Sequence, residues 1–106
     1  MKKTKEIYIE DGYASYRYSV TKVGSVRVVN LEKDNGYGEW EEDQIIIAKA
    51  AGWYYMAFPD MGTASPGFSD LGDYGLVADL VHDAGYWNPD TEAITLAIMD
   101  VAKSGF

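Results

Sequence analysis

The sequence predicts an α+β fold, a small antiparallel β-meander packed on helices and ending in a C-terminal αα-hairpin. Three observations predict it. In "SYRYSVTK", Tyr16, Tyr18 and Val20 alternate with Ser15, Arg17, Ser19 and Thr21, the period-two pattern of a strand with one buried and one wet face. A second β-branched run, "VRVVNL", follows after Gly24 and Ser25. From residue 70 onward the apolar period changes to that of a helix, twice.

Taken in order, residues 7–9 and 13–23 read as strands and "VRVVNL" as the next. "KDNGYG" supplies Asn35-Gly36, a pair suited to a hairpin turn that needs positive φ, so the meander is placed over residues 7–40. "EWEEDQIIIAKAAG" reads in two ways. Glu41, Glu42 and Asp43 would complement the positive end of a helix dipole, with Gly52 just past the C-cap. Ile45, Ile46 and Ile47, β-branched in a row, instead suit a buried strand. Helix is the preferred assignment for 41–51. "WYYMAF" is an aromatic strand, and "PDMGTASPGFSD" a loop of about a dozen residues, a length often tied to function.

Asp70 is expected to cap a helix with Asp73 in its first turn. Val77, Leu80, Val81 and Ala84 form its apolar stripe, and Gly85 ends it. Asn88 as N-cap, Pro89 at the first helical position and Asp90 and Glu92 in the first turn then begin a second helix. Its stripe is Ile94, Ala97, Ile98 and Val101. Leu96 and Met99 lie off that stripe, which calls either for burial on both faces or for a protein contact.

A chain of 106 residues, 47% apolar and with nine tyrosines, suits one folded domain spanning 1–106. With no cysteine, disulfides and thiolate metal sites are excluded. The basic N-terminus lacks an apolar segment behind it and no apolar run approaches a membrane span, so the expected location is the cytosol, with no membrane partner. The net charge of −8 is uneven. Residues 1–59 carry nine acids against eight bases, a net of −1, and residues 60–106 carry eight acids against Lys103 alone, a net of −7. Such a half repels phosphate backbones and attracts basic surfaces. Direct nucleic-acid binding is therefore not expected, and a protein with a basic surface is the expected partner. A homodimer is also compatible with the composition.

The chain's one histidine, His82, falls off the core stripe, near a helix C-terminus where the dipole favours its protonated form. Asp79 and Asp83 lie further round on the polar side. The order of residues around it resembles an uncharacterised family of tailed-phage proteins that reads D-G-A-S-x-P, then G-x-Y-x-x-A-A-x-x-H-D-x-x-Y, then a helix with E-A-D. Asp60, Ala64, Ser65 and Pro66 give a distorted first block. Gly72, Tyr74, Val77, Ala78, His82, Asp83 and Tyr86 match the second, and Glu92 and Ala93 start the third, where Ile94 replaces the family's aspartate. The likeness covers about 45 residues and implies a phage-encoded protein working in the host cytosol. Phage proteins of this size often occupy the nucleic-acid groove of a host defence or replication enzyme.

A more distant likeness is to phospholipases that carry H-D-x-x-Y on a helix packed against another. It implies His82 as general base, Asp83 as calcium ligand and Tyr86 as a supporting hydroxyl. Calcium enters only under this alternative, and otherwise no cofactor or metal is expected. Three departures count against it. Ile94 stands where an orienting carboxylate belongs, and Asp100 is no substitute because it lies about two turns further along, roughly 9 Å away. Calcium needs several oxygen ligands, for which only "DNGYGE" offers nearby carbonyls. The disulfides that brace secretory phospholipases cannot form in a chain without cysteine.

The expectation is thus a small acidic binding protein that inhibits or modulates a larger nucleic-acid-handling protein. Its binding residues would be Asp70, Asp73, Asp79, Asp83, Leu96 and Met99. A metal-assisted hydrolase and a phage accessory or structural protein are the alternatives.

Overall fold

The computed structural model describes residues 4–8, 15–34 and 38–104. Six strands run antiparallel in chain order: β1 (Thr4–Tyr8), β2 (Ser15–Val23), β3 (Val26–Asp34), β4 (Trp40–Ala50), β5 (Trp53–Phe58) and the short β6 (Thr63–Ala64). Two helices follow, α1 (Tyr74–Ala84) and α2 (Asp90–Ser104). The architecture is the predicted α+β meander with a helical hairpin at its end. The Asn35-Gly36 turn lies outside the described residues, as do residues 13 and 14 of the strand expected over 13–23 and residue 9 of that expected over 7–9.

The segment 41–51 is a strand, which corrects the preferred helix. Register explains why: β4 pairs along its length with β3, placing Val29 opposite Ile45, Leu31 opposite Asp43 and Arg27 opposite Ile47. Alternation then buries Ile45 and Ile47 and leaves Ile46 half-covered on the other face. On a helix these three residues would fan round the axis, and their stiff χ1 angles fit the pleat better. Gly52 does require positive φ, at +81°, but in a two-residue hairpin turn with Ala51, whose φ is 52°. A helix cap and this turn make the same demand of that position, so glycine alone does not separate them.

One face of the sheet supplies Tyr16, Tyr18, Val29, Leu31, Ile45, Ile47, Met56 and Phe58 to the core. The helices answer with Val77 and Val81 from α1 and Ala93, Ile94, Ala97, Ile98 and Val101 from α2. Each fully buried aliphatic side chain contributes about 1.5–3 kcal/mol through removal of apolar surface from water. The predicted stripe of α2 is buried throughout, whereas of the stripe of α1 Val77 and Val81 are buried and Leu80 and Ala84 partly so. On the opposite sheet face Arg17 pairs with Glu32 at 3.1 Å and lies 3.8 Å over the Trp40 ring.

Polar contacts fix how α2 lies on the sheet. The hydroxyl of Tyr16 donates to Asp90 at the start of the helix, and that of Tyr18 donates to Asp100 near its end. Lys33 reaches the same Asp90 carboxylate at 3.0 Å. The long loop after β5 is also ordered by pairing. Phe68 exchanges two backbone bonds with Tyr54, at 2.7 and 2.8 Å, and Ser65 N–H donates to the Met56 carbonyl. Among the described residues no helix is long and apolar enough to cross a membrane.

Candidate functional site

The helical hairpin and the segment leading into it carry the candidate site residues His82, Asp83, Tyr86, Asp70, Asp73, Asp79, Leu96 and Met99. Asp73, not Asp70, caps α1: its backbone is extended and its carboxylate accepts from the Leu76 N–H at 3.2 Å. Asp70 instead accepts from the Gly72 N–H at 2.9 Å, an Asx turn that leads the chain into the helix. Both residues stand before a run of helix formers, and the one three positions from a receptive N–H wins. The second helix likewise begins at Asp90, one residue past the predicted Pro89. Gly85 ends α1 as expected, with φ of +119° and its N–H donating to the His82 and Val81 carbonyls.

That turn sets the geometry of the H-D-x-x-Y motif. His82 is exposed, with Nδ1 3.1 Å from the Tyr86 carbonyl oxygen. Its ring meets the edge of Trp87 at 4.9 Å between centroids and nearly perpendicular. Tyr86 points the other way, buried against Phe58, its hydroxyl 3.5 Å from Asp43 on β4. Burial first, then the charges of Asp43 and Asp60, push that hydroxyl well above the ordinary tyrosine range. Asp43 is also pushed up, by burial and by Asp60 and Asp90, with the Tyr86 hydrogen bond opposing. The histidine thus braces the interhelical loop, while the tyrosine plugs the space between helix and sheet.

These placements bear on the hydrolytic alternative. If Nδ1 donates to the Tyr86 carbonyl, Nε2 is left as the atom able to take a proton. No carboxylate among the described residues contacts the ring. Ile94, at the position that would orient it, is fully buried in the core, and Asp100 is engaged by Tyr18. Among the described residues no three His, Asp or Glu side chains gather as a metal site. The hydroxyl of Tyr86 faces Asp43 rather than His82.

Seven of the eight acidic residues of 60–106 divide into three groups, and Glu92 lies half-buried on α2. Asp90 and Asp100 hold α2 on the sheet, and Asp60 accepts from the Gln44 N–H at 2.7 Å. Asp70 and Asp73 shape the start of α1 but remain exposed. Asp79 and Asp83, one turn apart on the outer side of α1, are exposed and make no hydrogen bond or ion pair with any described residue. Asp83 also borders a depression of about 250 Å3 with Ser65, Pro66 and Leu80. That depression gathers pieces of the first and second blocks of the phage-like pattern.

A larger cleft of about 500 Å3 lies between the start of α1, the second half of α2 and β5. Asp70, Leu96 and Met99 all line it, so the acidic and apolar candidates meet there. Met99 is partly buried and Leu96 is 37% exposed; the off-stripe pair borders a hollow instead of forming a second core face. Sequence reasoning did not assign three neighbours to the site, although Tyr74 belonged to the phage-like pattern. Tyr54 and Tyr74 line the cleft, and Trp87 stands 73% exposed beside His82. The position of Trp87, two residues past the glycine that ends α1, was the signal available.

No family model, curated protein or solved structure matches the chain.

Proposed function

We propose that the chain is a phage-encoded acidic binding protein that acts in the host cytosol. In this reading it inhibits or modulates a larger nucleic-acid-handling protein, such as a defence enzyme, by covering its basic surface. The observation that carries the reading is the state of Asp79 and Asp83. Most carboxylates of the C-terminal half are engaged within the fold, whereas these two face solvent one helical turn apart without a local partner. Carboxylates so spaced match rows of arginine or lysine. Trp87, whose exposed ring meets that of His82, adds a large apolar surface of the kind that anchors interfaces.

Capture from a host lysate at low salt tests the reading. The expected product is a nucleic-acid-binding protein with a basic surface, released by moderate salt and slowed in its action on DNA or RNA by added chain. Asp79→Asn with Asp83→Asn is expected to prevent recovery. Where Asp73 is also neutralised, serine is the replacement, because it keeps the capping hydrogen bond to Leu76. Capture that is indifferent to salt and to both substitutions would overturn the reading.

A second reading, a metal-assisted hydrolase using His82 and Asp83, draws on the histidine geometry alone. Its support ends at the Nε2 atom left available by the Tyr86 carbonyl.

A further inference from the structure

The cleft between α1 and α2 combines chemistries that one side chain would use together. Leu71, Leu96, Met99 and Ala102 supply apolar wall, Tyr54 and Tyr74 aromatic surface, and Asp70 and Asp100 negative charge. We propose that this cleft is an anchor site for an arginine side chain, with an apolar neighbour, presented by a basic protein partner. The inference rests on the reading above for the partner's basic character, and it concerns a surface separate from Asp79 and Asp83.

Arginine fits each part of the lining. Its aliphatic stem packs on Leu96 and Met99 while its head stays polar. The planar, weakly hydrated guanidinium stacks on an aromatic face and forks onto a carboxylate. Asp70 offers that carboxylate: one oxygen accepts from Gly72 N–H, and the other accepts no hydrogen bond among the described residues. Asp100, held by Tyr18, adds fixed charge. Lys49 lies 5.1 Å from the Tyr54 centroid, so that ring already carries a cation and the stacking falls to Tyr74, which is 41% exposed. Glu92 adds to the negative potential at Tyr74: after burial, its charge is what pushes the Tyr74 hydroxyl above the usual range. The lysine on the lining, Lys103, opposes a cationic guest, which gives the assignment a sign that can be tested.

The probe is the peptide acetyl-Leu-Arg-amide, titrated into the full chain at low salt and followed by amide chemical shifts. Its citrulline counterpart has the same shape without the charge. Saturable shifts at Gly72, Leu96 and Met99 are expected with arginine, and several-fold weaker ones with citrulline. Asp70→Asn, which keeps the acceptor for Gly72, is expected to weaken binding about two- to fivefold, the range of an exposed ion pair. Lys103→Gln is expected to tighten it by a similar factor. Equal affinity for citrulline, tightening by Asp70→Asn, or shifts absent from the cleft would each overturn the assignment. The titration needs no partner, so its failure overturns the cleft alone, and failure of the lysate capture overturns the functional reading alone.

Discussion

The hydroxyl of Tyr18 on β2 donates to the carboxylate of Asp100 on α2, across 82 positions of the chain. Together with Tyr16 and Asp90 it ties both ends of the last helix to one strand. Apolar stripes alone would let a helix slide or rotate over a sheet, since burial has no direction. The two tyrosine–aspartate contacts remove that freedom.

Tyr18→Phe is accordingly expected to destabilise the protein by about 1.5–3 kcal/mol, the worth of a hydrogen bond to a charged group. Urea unfolding measures it. Ring packing is retained in phenylalanine, so an unchanged midpoint would mean that the contact contributes nothing.

Asp43 yields a prediction with a defined sign. Its carboxyl is pushed up in the folded state, by burial first, so the folded protein disfavours its ionised form. The stability tied to this group is fully present below the ordinary aspartate range, near pH 4, and is lost as pH rises through the folded value. Asp43→Asn removes the charge and leaves an acceptor for Tyr86. It is expected to raise the Tm at pH 7 relative to the parent and to lose that gain near pH 3. Thermal melts at the two pH values decide it.

Much of this fold was legible, and the reasons lie in particular residues. Ile94, Ala97, Ile98 and Val101 announced the buried face of α2 because helical periodicity survives any tertiary context that buries one side. Tyr16, Tyr18 and Val20 announced β2 in the same way. Residues 41–51 were ambiguous because the acids before the isoleucines suit a helix start, and only pairing with β3 decides between the two. The cap of α1 was misplaced by three residues because Asp70 and Asp73 are chemically identical, and the turn around Gly72 settles which one meets a free N–H. Within the candidate site the single residues could be named, but their grouping could not. Whether Asp70 faces Leu96 and Met99 or lines up with Asp79 depends on how the two helices cross.

The corrected strand has its own test. Ile45→Ala and Ile47→Ala are each expected to cost about 2–5 kcal/mol, as for other large core truncations. Ile46→Ala, on the half-covered face, is expected to cost less than either. Equal losses at all three positions in urea unfolding would contradict the alternation of β4.

Calcium separates the two functional readings. A ligand that binds only the folded state raises the Tm. Because no described ligand set joins Asp83, millimolar calcium is expected to leave the Tm of the parent unchanged. A saturable rise that disappears in Asp83→Asn would restore the hydrolytic alternative.

The central claim is that the outer side of α1 recognises a basic surface by charge. The measurement that reaches it most directly is the affinity of the chain for its captured partner as a function of ionic strength, for the parent and for the Asp79→Asn, Asp83→Asn double variant. The account predicts an affinity that falls as salt rises, and a double variant that binds more weakly at low salt with a shallower salt dependence. Parallel curves of equal affinity for the two proteins would contradict it.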